Sequence, residues 1–225
     1  MPDHISAPSR RRALLVIMLL AGLQAVASGC SVFQPNTTNL LKAVNPDTDA
    51  VSGSWHFEKK ALTSESAPHA RLAFATSPHG DYEVNITFAR VIGDGSVHVL
   101  LPVSGRQVLL TLADRPDDGM VTGLEFIEGK AAASNASADR EFTMVNHTRY
   151  KLKVTVRTRA GEARIQADID GKPVVRWAGQ LSALSLPLEW ALGSDATLGV
   201  GANDTVAQVY SASLKMIPAE TSSLR

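Results

Sequence analysis

Asp81-Tyr82-Glu83-Val84-Asn85-Ile86-Thr87-Phe88 is the stretch that decides the fold. Tyr82, Val84, Ile86 and Phe88 alternate with Glu83, Asn85 and Thr87, so one side of an extended chain is apolar and the other polar. A period of two over eight residues predicts a strand with one face on a core. The same alternation returns in Val97-His98-Val99-Leu100-Leu101, in 108–112, and in Tyr150-Lys151-Leu152-Lys153-Val154-Thr155-Val156. Asp170-Gly171 separates Arg164–Ile169 from Pro173–Trp177, and Asp-Gly tolerates the positive φ angles of a type I′ hairpin. Further strands are expected at 54–58, 72–75, 121–127, 142–145, 197–202 and 206–217. No stretch beyond residue 30 carries the 3.6-residue periodicity of a three-turn amphipathic helix.

About a dozen short strands separated by Gly, Pro, Asn and Asp turns predict an all-β fold of two packed antiparallel sheets. From roughly residue 53 to 217 the chain resembles the concanavalin A-like lectin/glucanase sandwiches, including laminin-G-like domains and bacterial 3-keto-disaccharide hydrolase-type domains. The resemblance rests on Trp55 with Phe57, on 81–88, and on Val145-Asn146 leading into Tyr150. Ile169-Asp170-Gly171-Lys172-Pro173-Val174-Val175-Arg176-Trp177 and Leu198-Gly199-Val200-Gly201-Ala202 complete it. It implies a two-sheet jelly roll with a concave outer face. A scaffold of this kind does not dictate function.

The N-terminus carries a different message. Arg10, Arg11 and Arg12 precede an apolar run from Ala13 to Ala27 that ends in Ala27-Ser28-Gly29-Cys30. A basic region, a short apolar core and small residues form the layout of an export signal, and the run is too short for a spanning helix. The last four residues resemble the bacterial lipobox, which implies that Cys30 is lipidated and becomes the first residue of the exported chain. Cys30 is the only cysteine, so an internal disulfide is excluded. Ser31, where enterobacterial sorting places Asp for inner-membrane retention, implies the outer membrane or cell surface. The organisation read from the sequence is therefore a signal peptide over 1–29, a lipidated cysteine and flexible tether over 30–49, a sandwich over 50–218 and a tail over 219–225.

Lys plus Arg and Asp plus Glu each total 22, and no basic run exists outside the signal. Nucleic acid is not an expected partner. Glycan sites combine amides, carboxylates or Arg with an aromatic ring, and five residues fit that description: Asn85, His98, Arg106 and Gln107 at outward or strand-end positions, and Trp190 in a loop. Thr87 and Arg90 fall at similar positions, whereas Trp55 and Trp177 read as core. Each of the five also has a plain structural reading, as solvated strand, buried histidine or packed loop ring.

The Glu-x-Asp-x-x-Glu strand of the superfamily's glucanases is absent. Asp168 and Asp170 abut a turn, and Glu125 and Glu128 straddle a strand end. No cofactor is implied, and calcium stays open: Asp114, Asp117, Asp118 and the Asn203-Asp204 pair offer oxygen ligands, but neither group matches an EF-hand loop. The sequence reading is a membrane-anchored, non-enzymatic carbohydrate-binding sandwich. Its rivals are a glycan or 3-keto-glycoside hydrolase-like enzyme and a structural or protein-binding module.

Overall fold

The computed structural model describes residues 37–115 and 119–218. The signal peptide, Cys30, the first part of the tether, Asp117, Asp118 and the tail 219–225 lie outside the described residues. In chain order the elements begin with β1 (Thr37–Asn39), a one-turn α1 (Pro46–Asp49), β2 (Ala50–Ser52), β3 (Trp55–Glu58), β4 (Ala61–Ser64) and β5 (Ala70–Ala73). The long strands follow: β6 (Tyr82–Gly93), β7 (Val97–Val103), β8 (Arg106–Asp114), with the short β9 (Val121–Leu124). The second half contributes β10 (Tyr150–Arg159), β11 (Glu162–Ile169), β12 (Lys172–Gln180), β13 (Gly199–Ala202) and β14 (Thr205–Met216).

These strands make two antiparallel sheets. One has eight strands in the order β12-β11-β10-β6-β14-β4-β3, with β1 also paired to β14; the other has six in the order β2-β5-β13-β7-β8-β9. The period-two expectation holds on β6, where Tyr82, Val84, Ile86 and Phe88 are buried and Glu83, Asn85 and Thr87 are not. Leu152, Val154, Val156 and Ile165 extend this apolar face, and Val99, Leu101, Val108, Leu110 and Val200 meet it from the six-stranded sheet. Each such side chain, taken fully out of water, contributes about 1.5–3 kcal/mol before chain entropy is counted. Trp55 and Trp177 lie in the same core, 6% and 8% exposed. The Asp-Gly hairpin forms as expected, with φ of 50° at Asp170 and 79° at Gly171.

Two expectations are corrected. Residues 37–49 are not a tether: Thr37–Asn39 pair with Lys215–Ser213, and Leu40, 1% exposed, donates its N–H to the Ala212 carbonyl at 2.9 Å. Asn45 then caps the short helix by accepting from the Asp47 N–H, so the polar residues that suggested a loop satisfy backbone groups locally. Residues 142–145 are not a strand either. There the Phe142 N–H bonds the Asp139 carboxylate at 2.9 Å and the Val145 N–H bonds the Tyr150 hydroxyl at 2.9 Å. Side chains replace the ladder, and Phe142 packs edge-on against Tyr150 at 5.2 Å.

Candidate functional site on the outer face of the six-stranded sheet

Strand β7 is buried at all seven positions and β8 at all but its two ends. Burial on both faces means that the outward side of this sheet is covered. The cover is the segment between β12 and β13, which makes single 3₁₀ turns at Leu181–Ala183 and Leu188–Trp190. Trp190 and Leu192 descend from it onto Leu100 and Leu109, forming a second apolar cluster distinct from the main core. Glycines on β13 make the approach possible: a Cβ at Gly201 would lie 2.6 Å from Trp190 Cζ3, and one at Gly199 would lie 2.5 Å from Leu192 Cδ1. The cover is fastened from below. Gln107 donates to the Thr197 carbonyl at 2.7 Å, Arg106 to the Leu184 carbonyl at 3.1 Å, and Arg71 Nε to the Ala191 carbonyl at 2.8 Å.

Where the cover ends, a cavity of about 140 Å³ opens beside Trp190. Its floor is His98 and Thr111, alternate outward residues of β7 and β8 that face each other in register. Ser96, His69 and Asn203 come from the loops at the same end, and Asp114, Glu125 and Glu189 supply carboxylates. Among the described residues no lysine or arginine lines it. The indole of Trp190 sits 4.1 Å from the His98 ring and 5.3 Å from the His69 ring, centroid to centroid.

His98 is 4% exposed and hydrogen-bonded at both ring nitrogens, to Ser96 Oγ at 2.8 Å and Thr111 Oγ1 at 3.0 Å. Burial, with a smaller contribution from His69, pushes its pKa down to about 3, so the ring is neutral at physiological pH. Burial also raises the pKa of Glu125, and nearby Asp114 adds to the effect, although the Ala132 N–H donates to its carboxylate at 3.0 Å. The cavity thus offers an aromatic wall, neutral donors and acceptors, and a carboxyl group held towards its protonated form. Such a set can hydrogen-bond hydroxyls and stack against the apolar face of a sugar ring.

Of the five residues picked from the sequence, the structure brings only His98 and Trp190 together at this cavity. Asn85 lies on the outer face of the other sheet, bonded to Glu83 at 3.0 Å. Arg106 and Gln107 lie on the correct sheet but hold the covering segment in place. Trp190 is 5% exposed, a wall within the fold rather than an open loop platform. Arg90 is buried too, donating to Asn146 Oδ1 and to the Asp94, Gly95 and Met144 carbonyls at 2.6–2.9 Å. Sequence reasoning missed Ser96, Thr111, His69 and Asn203 as cavity residues. Thr111 could have been found, because strict alternation from Gln107 through Leu109 places it on the outward side. Among the described residues no three His, Cys, Asp or Glu side chains are placed to hold a metal ion.

This geometry is that of a concanavalin A-like jelly-roll sandwich, the fold of lectins and carbohydrate-binding modules. Among solved structures, the carbohydrate-binding module CBM66 from Bacillus subtilis superposes with a TM-score of 0.52 at 13% identity, over 74% of this chain and 93% of that one. The exoplasmic/lumenal domain of VIP36, in its Ca²⁺/Man3GlcNAc-bound form, matches with a TM-score of 0.54 at 12% identity, over 83% and 93%. A putative glycosyl hydrolase from Parabacteroides distasonis matches with a TM-score of 0.50 at 12% identity, over 81% and 95%. No protein-family model and no curated protein matches the sequence.

Proposed function

We propose that this protein is an exported lipoprotein, acylated at Cys30, whose sandwich domain binds a carbohydrate end group in the cavity beside Trp190. The observation that carries the reading is the convergence of Trp190, His98, Thr111, Asn203 and three carboxylates around about 140 Å³ on the outer face of the six-stranded sheet. A cavity of that size suits a single sugar unit at the end of a chain better than a long polymer. The solved structures that share the fold support the ligand class, since two of them are described by their carbohydrate binding or bound glycan. The lipobox-like Ala27-Ser28-Gly29-Cys30 supports the anchor.

The test of the ligand is a glycan array probed with the full chain in detergent, beside Asp114→Ala and Glu189→Ala. Binding that falls at least about tenfold in either variant is expected, the loss of one or two charge-assisted hydrogen bonds. Absence of binding to any glycan, or equal binding by all three proteins, would overturn it. The anchor is tested separately: Cys30→Ala should abolish labelling by a fatty-acid analogue and release the protein from membranes.

A second reading has one specific observation in its favour. Glu125, its pKa raised by burial beside Asp114, lines the cavity together with two further carboxylates, and a raised carboxyl pKa is what a proton donor in glycoside cleavage needs. Release of reducing sugar by the wild-type chain, lost in Glu125→Gln while binding persists, would convert the binding protein into a hydrolase.

A further inference from the structure

A second recess, about 620 Å³, lies at one end of the eight-stranded sheet. Arg157, Arg159 and Arg164 line it, with His79, Asp81 and Glu162. No basic run in the sequence announces it, because the hairpin between β10 and β11 folds two strands together and sets Arg157 directly across from Arg164. Two carboxylates share the recess: Asp81 accepts the Thr158 N–H at 2.8 Å, and Glu162, directly across from Arg159, accepts from Gln180 at 3.0 Å, so the three arginines leave a net positive lining. Arg159 and Arg164 are exposed and have no hydrogen-bond or ion-pair partner among the described residues.

The position of the recess follows from strand register. Val156 and Met216 both pair with Tyr82, which puts the ends of β10, β6 and β14 at one pole of the sheet, next to Asp81 and Ile217 of the recess. The chain enters the sandwich at the same pole, because Thr37 pairs with Lys215. Four strand spacings, about 19 Å, separate Thr37 from the β11 strand that carries Arg164. Cys30 precedes Thr37 by seven residues, which span at most about 25 Å.

We infer that the arginine recess is a docking site for the phosphate of anionic phospholipid headgroups, holding the anchored domain on the bilayer through this pole. The inference rests on acylation of Cys30, because the described chain begins at the pole that carries the recess. The exposed guanidinium groups of Arg159 and Arg164 suit phosphate oxygens, and basic groups near an anionic surface are attracted over about one Debye length. With this pole down, the cavity beside Trp190 lies on the other sheet and is left clear of the lipid contact.

The experiment uses the acylated full chain carrying Ala178→Cys, an exposed position lining the recess whose change removes no charge. Cys30 is the only native cysteine, so acylation leaves the introduced thiol as the sole free one. Its reaction with a water-soluble maleimide is timed in phosphatidylcholine vesicles and in vesicles containing phosphatidylglycerol. The expected result is reaction about fivefold slower on the anionic vesicles. High salt should erase the difference, and so should Arg159→Gln combined with Arg164→Gln. Equal rates on both vesicles, or slowing that survives removal of the two arginines, would overturn the proposal. Reaction of Cys30 itself in the parent chain would show that the anchor is absent; the proposal would then fall with the anchor reading, by a readout separate from the first.

Discussion

The indole of Trp190 lies against the imidazole of His98, 4.1 Å between ring centroids at 46°, and joins the covering segment to the sheet beneath it. One partner comes from a 3₁₀ turn and the other from the middle of a six-stranded sheet. With Leu192 on Leu100 and Leu109, their contact covers the outer face of β7 and β8 and borders the cavity. The size of the cavity is therefore set by how far Trp190 descends, and that depends on the absence of a side chain at Gly201.

Gly201→Ala should lift the indole. The added methyl would meet Trp190 Cζ3 at 2.6 Å and the Ala70 carbonyl oxygen at 3.1 Å, so the ring or the backbone has to move. Overpacking of this kind costs about 1–3 kcal/mol. Denaturant unfolding should report that loss together with a change in native tryptophan fluorescence; a variant as stable as the parent, with unchanged emission, would mean that the cover is not seated as described.

His98 should make the fold sensitive to acid. Its pKa is about 3 in the folded protein against an ordinary 6.5, so between those values the unfolded chain binds a proton that the folded one refuses. Stability from the neutral ring is thus complete above about pH 6.5 and declines as pH falls towards 3. By pH 4.5 the loss amounts to roughly 2–3 kcal/mol. His98→Gln removes this titration while other groups stay in place, so the gap in melting temperature between the two proteins should narrow from pH 7 to pH 4.5. Parallel curves would contradict the assignment.

The sequence was readable where one side chain per position decided the structure. Alternation from Tyr82 to Phe88 needs only a core on one side, and Asp170-Gly171 needs only local backbone angles. The covered face was harder. Leu100 and Leu109 break the alternation of β7 and β8, yet nothing in a linear reading connects them with Trp190, some 80 to 90 residues away, or shows that Gly199 and Gly201 make room for the cover. The same limit made Arg106 and Gln107 look like ligand contacts. Gln107 faces outward as expected and Arg106 sits at the strand end in the opposite phase, but what both meet is the chain's own carbonyl groups. The strand at 61–64 and the pairing of Thr37–Asn39 escaped notice because both are short and rich in polar residues, their place set by the strands they pair with rather than by their own pattern.

Arg90 should tolerate no replacement that loses its fork. Four hydrogen bonds tie the end of β6 to the loops at 94–95 and 144–146, and the side chain is 3% exposed. A lysine reaches fewer of these acceptors and leaves buried carbonyls unpaired, which costs about 1–3 kcal/mol for each group. Arg90→Lys should lower stability by at least about 3 kcal/mol in a denaturant melt; a loss under about 1 kcal/mol would show that water takes over the role.

Glu125 should behave in the opposite sense from His98. Burial raises its pKa, so the folded protein keeps a proton that the unfolded chain releases once pH exceeds the ordinary carboxylate value. Stability linked to this group is present at acid pH and lost as pH rises through its folded pKa. Glu125→Gln cannot ionise, and its side-chain oxygen can still accept the Ala132 N–H. The variant should match the parent near pH 4 and become more stable than it as pH rises to 8. Melting curves at those two pH values decide the matter: a variant that loses stability at pH 8 would mean that Glu125 is held ionised by a favourable partner, and would remove the proton donor that the hydrolase reading requires.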